Sequence, residues 1–308
     1  MTVRITDMTV PSVPTTSTPS VDALRARTAD LPLTTPAPDA LAGRTIVMSG
    51  GSRGIGLEIA LAAARQGANI AMLAKTAEPD PRIPGTIYSA AAAVEEAGGH
   101  ALPVVGDVRK DDDVDRVVDR AVAEFGGIDI VVNNASAISL HPTKDLPLKR
   151  LDLMLDINIR GSFALTRAAV PHLLESGHAH ILTLSPPVNT ETWIGSFPGY
   201  ALGKYGMSIL ALGWAKEFEG RISSNALWPE TTIATAAVQN TAGLGGDESV
   251  RHSRGPAIMA DAALAVLATA PGAVTGQTLV DADVIRATGV TDLSGYGGEE
   301  PLTLDLFL

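Results

Sequence analysis

Tyr200 and Lys204 stand four positions apart in the stretch GYALGK. On a helix that spacing puts both side chains on one face, one turn apart. A free phenol titrates near pH ~10. A neighbouring ammonium favours the phenolate and lowers that value. Such a pair could exchange a proton with a carbonyl or hydroxyl near neutral pH. The same spacing also occurs as a plain surface pair, so the chemistry needs a partner group. A seat for one lies far upstream, in SGGSRGIG: Ser49, Gly50, Gly51, Ser52, Arg53, Gly54, Ile55 and Gly56. Glycines let the backbone turn sharply and approach a diphosphate closely. A helix starting there adds free N–H groups and the positive end of its dipole. The spacing of Gly50, Gly54 and Gly56 departs from G-x-G-x-x-G, and glycine turns also serve merely as connectors.

These residues need elements to hold them. RTIVMS is a short β-run before the glycine turn, and LEIALAAARQG is an amphipathic helix closed by Gly67. NIAMLAK, ALPVVGDV, IDIVVNNAS, AHILTLS, ISSNALWP and TGQTLVD are further β-runs. Between them lie the helical stretches GTIYSAAAAVEEAGG, DDDVDRVVDRAVAEFGG, LKRLDLMLDINIRGSFALTRAAVPHLLES, GYALGKYGMSILALGWAKEFEG and GPAIMADAALAVLATA. Strand and helix alternate, and the strands are continuous apolar runs. That pattern predicts an α/β fold, a doubly wound parallel sheet of Rossmann type, as one domain over residues 41–283.

In such sheets ligands bind outside the carboxyl ends of the strands. The second strand ends at Lys75, with no acid before Glu78. An acid there would bond an adenosine ribose; a lysine would pair with a 2′-phosphate, and Arg53 could assist. NADP(H) is therefore expected over NAD, the bland alternative being a solvated lysine. Asp107 and Val108 end the third strand, where adenine would lie. Asn133, Asn134, Ala135 and Ser136 end the fourth, beside the sugar and nicotinamide.

Composition narrows the class. The formal net charge of −11 disfavours nucleic acid or an anionic membrane as partner. There is no cysteine, so disulfides and thiolate chemistry are excluded. No apolar run is long enough to span a bilayer, and the N-terminus lacks a signal-peptide core. The expectation is a cytoplasmic protein. Residues 1–40, rich in Thr, Ser and Pro, are expected to form a flexible extension or an arm ordered by a partner subunit. Within them VDALRARTADL could form one or two helical turns.

SGGSRGIG, Asp107-Val108, NNAS, the asparagine of LDINIRGSF and YALGK occur in the order found in the short-chain dehydrogenase/reductases, and residues 43–283 resemble that family. The resemblance implies an NAD(P)-binding fold and hydride transfer between alcohol and carbonyl. It implies Tyr200 as acid/base, Lys204 on the nicotinamide ribose, and Asn158 holding a relay water. It also implies nicotinamide-side contacts from Pro229, Thr231 and Ile233. AKTAEPDPRIPGTIYSAA, NNASAISL, ILTLSPPVN, KYGMS and NALWPET are similar to the hydroxysteroid dehydrogenase-like subfamily and to bacterial citronellol/citronellal dehydrogenase-type members. The sterol-carrier domain fused to some of that subfamily is not expected in these residues. A hydrophobic alcohol or carbonyl is the expected substrate, and a homodimer or homotetramer the expected assembly.

Two departures stand out. The family places a serine thirteen residues before the tyrosine; here that position is Pro187, and the nearest strand-end serine is Ser185. Either Ser185 serves from a longer loop, or the role is empty or falls to Asn189 or Thr190. The usual Pro-Gly after the sixth strand is Pro229-Glu230. A rival expectation follows: an NADP(H)-binding sensor or lipid-handling protein with little turnover. Residues 229–255 are expected to be a mobile substrate lid. The tail, 284–308, is expected to pack on the body or a neighbour. His178 and His180 lack a third ligand nearby, so no metal is expected. Asp111–Asp113 fit a helix start, and Trp193, Trp214 and Trp228 fit packing.

Overall fold

Apolar runs alternate with helices along the chain, and each run becomes a strand. β1 (Thr45–Ser49), β2 (Asn69–Ala74), β3 (His100–Val105), β4 (Ile130–Asn133), β5 (His180–Leu184), β6 (Ser223–Trp228) and β7 (Thr278–Val280) form one sheet. Its order is β3-β2-β1-β4-β5-β6-β7, and every neighbouring pair is parallel. The computed structural model describes residues 21–80, 85–188, 196–241 and 244–308. The helices are α1 (Val21–Ala29), α2 (Gly54–Arg65), α3 (Ile87–Glu96), α4 (Asp111–Phe125), α5 (Leu148–Met154), α6 (Ser162–Leu173), α7 (Pro198–Glu217), α8 (Ala236–Asn240), α9 (Gly246–Arg251), α10 (Ala257–Leu267) and α11 (Asp281–Ala287).

Both faces of the sheet are covered, which explains why the strands lack polar alternation. Ile46 and Met48 of β1 pack into a layer with Ile59 of α2, Ile87 of α3 and Ile258 of α10. Val47, between them, packs into the opposite layer with Val117 of α4, Leu165 of α6 and Trp214 of α7. The chain winds outward from β1 through β2 to β3. It then returns to lay β4 on the other side of β1. The connections diverge at that point and leave a crevice above the β1 and β4 ends.

Some stretches depart from the expected reading and others add detail to it. The helix expected to run unbroken through Asn158 contains a π-helical stretch, Leu155–Gly161, between α5 and α6. Such wider turns concentrate at functional sites, and periodicity alone does not reveal them. Residues 21–40 are not a free extension. Leu33 is buried in the main core layer with Leu31 packed against it, and Arg25 of α1 meets Glu230 at 3.1 Å and Asp283 at 3.5 Å. The partners are too distant in sequence for composition to forecast them. Residues 1–20 lie outside the described residues.

The expected lid carries structure of its own. Thr235 caps α8 by accepting the Val238 N–H, and Ile233 bridges to Arg254. The tail turns back on its own chain. Thr231 bridges antiparallel to Leu304, and the Asp305 N–H donates to the Glu230 carbonyl at 3.0 Å. α11 runs on to Ala287, past the expected domain limit at 283.

Candidate active site

The carboxyl ends of β1 to β6 open into one cleft of about 500 Å³. At its floor Gly50 turns with φ of +75°, a value that L side chains rarely adopt. The Asn134 amide ties this turn to β4 by donating to the Ser49 carbonyl at 3.0 Å and the Gly50 carbonyl at 2.8 Å. Gly56 lies tight beneath: a Cβ there would meet the Asn134 amide and come within 2.7 Å of the Gly50 carbonyl oxygen. The N-cap of α2, Arg53, is extended and offers no capping side chain. The first N–H groups of α2 are thus left for another acceptor, and the helix dipole favours an anion there. A glycine cradle beside an uncapped helix start fits a dinucleotide diphosphate.

At the outer end, Lys75 is 57% exposed along its side chain, with Nζ 3.8 Å from Asp107 Oδ2. Asp107 belongs chiefly to Arg109, whose Nε donates to both carboxylate oxygens at 3.0 Å. That bond holds the Asp107 carboxyl down at about 2. Arg109 was not singled out from the sequence, because the pairing of residues two apart after a strand depends on how the turn is made. Arg53 donates to the Gly85 carbonyl at 3.0 Å, on the same side of the cleft.

At the inner end, α7 presents Tyr200 and Lys204 to the cleft. Lys204 Nζ donates to the Leu184 carbonyl at 2.9 Å and stands 4.9 Å from the centre of the Trp228 ring. Burial pushes its ammonium down to about 7, against an upward pull from Asp305. The phenol of Tyr200 moves opposite to the expected direction. Burial first, and the Asp305 charge second, push it upward. Desolvation disfavours the phenolate more than a lysine one turn away can offset.

Ser185 follows β5 and is fully buried. Its Oγ has no hydrogen-bond partner among the described residues. The backbone around it is clamped by α7, with Lys204 on the Leu184 carbonyl and Ser208 Oγ donating to the Pro186 carbonyl at 2.6 Å. Asn158, in the π-helical stretch, uses its whole amide on Ala137: Oδ1 accepts the backbone N–H at 2.7 Å and Nδ2 donates to the carbonyl at 3.1 Å. Its side chain thereby fixes the wall formed by Ala135, Ser136 and Ile138.

A model of the short chain dehydrogenase family matches residues 44–243. The chain belongs to that family. Its members are NAD(P)-dependent oxidoreductases, and the cleft has the features such a cofactor needs. The chain is 50% identical over 271 residues to hydroxysteroid dehydrogenase-like protein 2 of Danio rerio, covering 87% of this chain and 64% of that protein. It therefore spans about 64% of the length of that relative. A crystal structure of a short chain dehydrogenase from Mycobacterium thermoresistibile is 52% identical, with a TM-score of 0.81, covering 87% of this chain and 96% of the other. An NADH-dependent reductase solved with NAD is 25% identical, with a TM-score of 0.63, covering 79% of this chain and 96% of the other.

Gly50, Ser52, Arg53, Gly54, Ile55, Lys75, Asp107, Val108, Asn134, Ala135, Tyr200, Lys204, Pro229 and Ile233 all line this short-chain dehydrogenase cleft. Four expected residues do not. Gly56 and Asn158 support it from behind, and Ser185 is sealed below its surface. Thr231 turns its hydroxyl to the Thr232 carbonyl at 2.9 Å, so Thr232 and Thr235 take the lining positions instead. Glu230 replaces the usual glycine without blocking the cleft. It is buried among Arg25, Arg254 at 2.9 Å and Arg286 at 3.3 Å. Asn189, Thr190 and Trp193 lie outside the described residues.

Sequence reasoning missed Asp305 and Leu306, which line the cleft beside Tyr200. Nothing in a tail sequence signals a return to a distant helix. The His178 and His180 rings lie tilted with centroids 4.7 Å apart and bond the Leu267 and Thr269 carbonyls, and burial holds His180 down at about 3. They join the start of β5 to the end of α10 and the segment after it. Among the described residues no group of three His, Asp or Glu is placed to hold a metal, and no helix is long and apolar enough to cross a membrane.

Proposed function

We propose that this chain is an NADP(H)-dependent oxidoreductase that interconverts a hydrophobic alcohol and its carbonyl, with Tyr200 as proton donor. The observation that carries this reading is one continuous cleft joining the glycine turn to Tyr200 and Lys204. The nicotinamide, when bound, supplies or accepts the hydride. The Gly50 turn and the start of α2 would hold the diphosphate. Lys75 and Arg53 would hold a 2′-phosphate, with Asp107 already neutralised by Arg109. Lys204 would turn toward the nicotinamide ribose.

Tyr200 keeps its proton firmly at Oη near neutral pH, because burial and the Asp305 charge oppose ionisation. That protonated state is the one that donates to a carbonyl oxygen in the reductive direction. The cleft walls packed around Tyr200 are Ile138, Trp228 and Leu306, which suit an apolar substrate. The orphan hydroxyl of Ser185 is the donor expected to meet the substrate oxygen once its neighbours shift. A buried hydroxyl without a partner costs about 1–3 kcal/mol, and such groups concentrate where function uses them.

The same burial of Ser185 favours a second reading, an NADP(H)-binding protein with little turnover. NADPH oxidation across a panel of aldehydes, ketones and acyl thioesters separates the two, with Tyr200→Phe in parallel. Turnover that collapses in the variant supports the enzyme. NADPH bound tightly in fluorescence titration, with no oxidation across the panel, supports the binding protein.

A further inference from the structure

The tail reaches the reacting end of the cleft by its own set of contacts. Its backbone exchanges hydrogen bonds with the segment after β6: the Thr232 N–H donates to the Thr303 carbonyl at 2.9 Å, and the Asp305 N–H to the Glu230 carbonyl at 3.0 Å. Phe307 is buried against three aromatic rings, with centroids 5.7 Å from Tyr200, 5.3 Å from Tyr205 and 5.5 Å from Trp228. Between these anchors Asp305 turns inward. Its Oδ1 accepts the indole N–H of Trp228 and the Phe307 N–H.

Asp305 and Asp107 are the two carboxylates among the described lining residues. Asp107 lies at the far end and is matched by Arg109. Asp305 lies at the Tyr200 end among apolar walls, and its charge acts on both Tyr200 and Lys204. The Lys204 ammonium would be committed to the cofactor ribose in the loaded enzyme. The Asp305 carboxylate would then face the substrate with no dedicated cation.

We propose that Asp305 is a specificity-determining residue: it restricts the cleft to uncharged alcohols and carbonyls and excludes substrates that carry a carboxylate near the reacting carbon. The proposal rests on the oxidoreductase reading above. A carboxylate on the substrate would meet a like charge in a water-poor pocket, where repulsion is strong. A neutral substrate would meet apolar surface, the Tyr200 hydroxyl and the free acceptor capacity of Asp305. Burial raises the Asp305 carboxyl to about 6, so it is ionised at mildly alkaline pH.

The test uses matched pairs that differ only in charge, a set of 2-oxo acids and their methyl esters, at mildly alkaline pH with NADPH. The readout is the ester-to-acid ratio of kcat/KM in the wild type, Asp305→Asn and Asp305→Glu. The wild type is expected to prefer the ester by at least about tenfold. Asp305→Asn keeps the side-chain size and the acceptor oxygen, and is expected to bring the ratio near one. Asp305→Glu keeps the charge, so its ratio should stay near the wild-type value. An unchanged ratio in Asp305→Asn, or an equal collapse in both variants, overturns the proposal.

Calorimetric binding of the same pairs to the NADPH-loaded protein keeps the two readings apart. Ester preference in binding without any turnover would retain the exclusion and sink the oxidoreductase reading. Acid bound as tightly as ester by the wild type, or neither bound, would overturn the exclusion.

Discussion

Gly56 touches no ligand, yet its missing Cβ lets the Asn134 amide and the Gly50 carbonyl meet above it. Gly56→Ala is expected to open the turn and weaken NADPH binding at least about tenfold, measured by fluorescence titration, because the added Cβ meets backbone that cannot move aside. Unchanged affinity would mean the turn does not hold the cofactor. Lys75 makes a second prediction. Lys75→Ala should reduce the preference for NADPH over NADH by roughly 1 kcal/mol or more, since a charge-assisted bond to a 2′-phosphate is lost. Equal loss for both cofactors would assign Lys75 a general role. Lys75 was legible in the sequence because a strand end is a fixed address in this fold. Asp305 was not, because its address depends on where a tail lands. Ser185 was legible only as a candidate, since two prolines after it hide how the chain leaves β5.

Among the elements, α7 carries most of the proposed chemistry, supplying Tyr200 and Lys204, and it clamps the end of β5 through Lys204 and Ser208. Its helical period made it legible. The π-helical stretch opposite it was not, because one wider turn leaves the apolar pattern almost unchanged. α11 offers a pH prediction. Asp281, at its start, accepts the Glu230 N–H at 2.8 Å and the Ala282 N–H, and burial raises its carboxyl to about 7. A raised carboxyl binds its proton more tightly in the folded chain. Its stabilising contribution is full below the ordinary value of 3.8 and is lost as pH rises toward about 7. Asp281→Asn keeps the acceptor oxygen and cannot ionise. Denaturant titrations should show the variant gaining on the wild type by roughly 2–4 kcal/mol between mildly acidic and neutral pH. A constant difference across that range would contradict the assignment.

At the scale of the molecule, the alternation of strands and helices made the sheet and its crevice readable before any coordinates. The closure of the molecule was not readable. α1, the lid and the tail meet through Glu230, which gathers Arg25, Arg254 and Arg286 from three separate segments. Assembly is argued from the outer surface. Leu202 and Ile209 lie seven residues apart on α7 and are 54% and 61% exposed, and Leu148 and Phe163 on α5 and α6 are also exposed. Apolar side chains left on neighbouring helices fit an interface between copies. Light scattering at micromolar concentration should give a dimer or tetramer, and Leu202→Glu with Ile209→Glu should lower the mass. A wild-type monomer would remove this face from consideration.

The central claim is that Tyr200 delivers a proton while a hydride crosses the cleft. The most direct measurement supplies NADPH deuterated at its transferable position with a carbonyl substrate and follows the product by mass spectrometry. The expected result is one deuterium on the carbinol carbon, with Tyr200→Phe forming that product at least about 100-fold more slowly while still binding NADPH. Product without the label, or labelled product formed equally fast by Tyr200→Phe, would contradict the account.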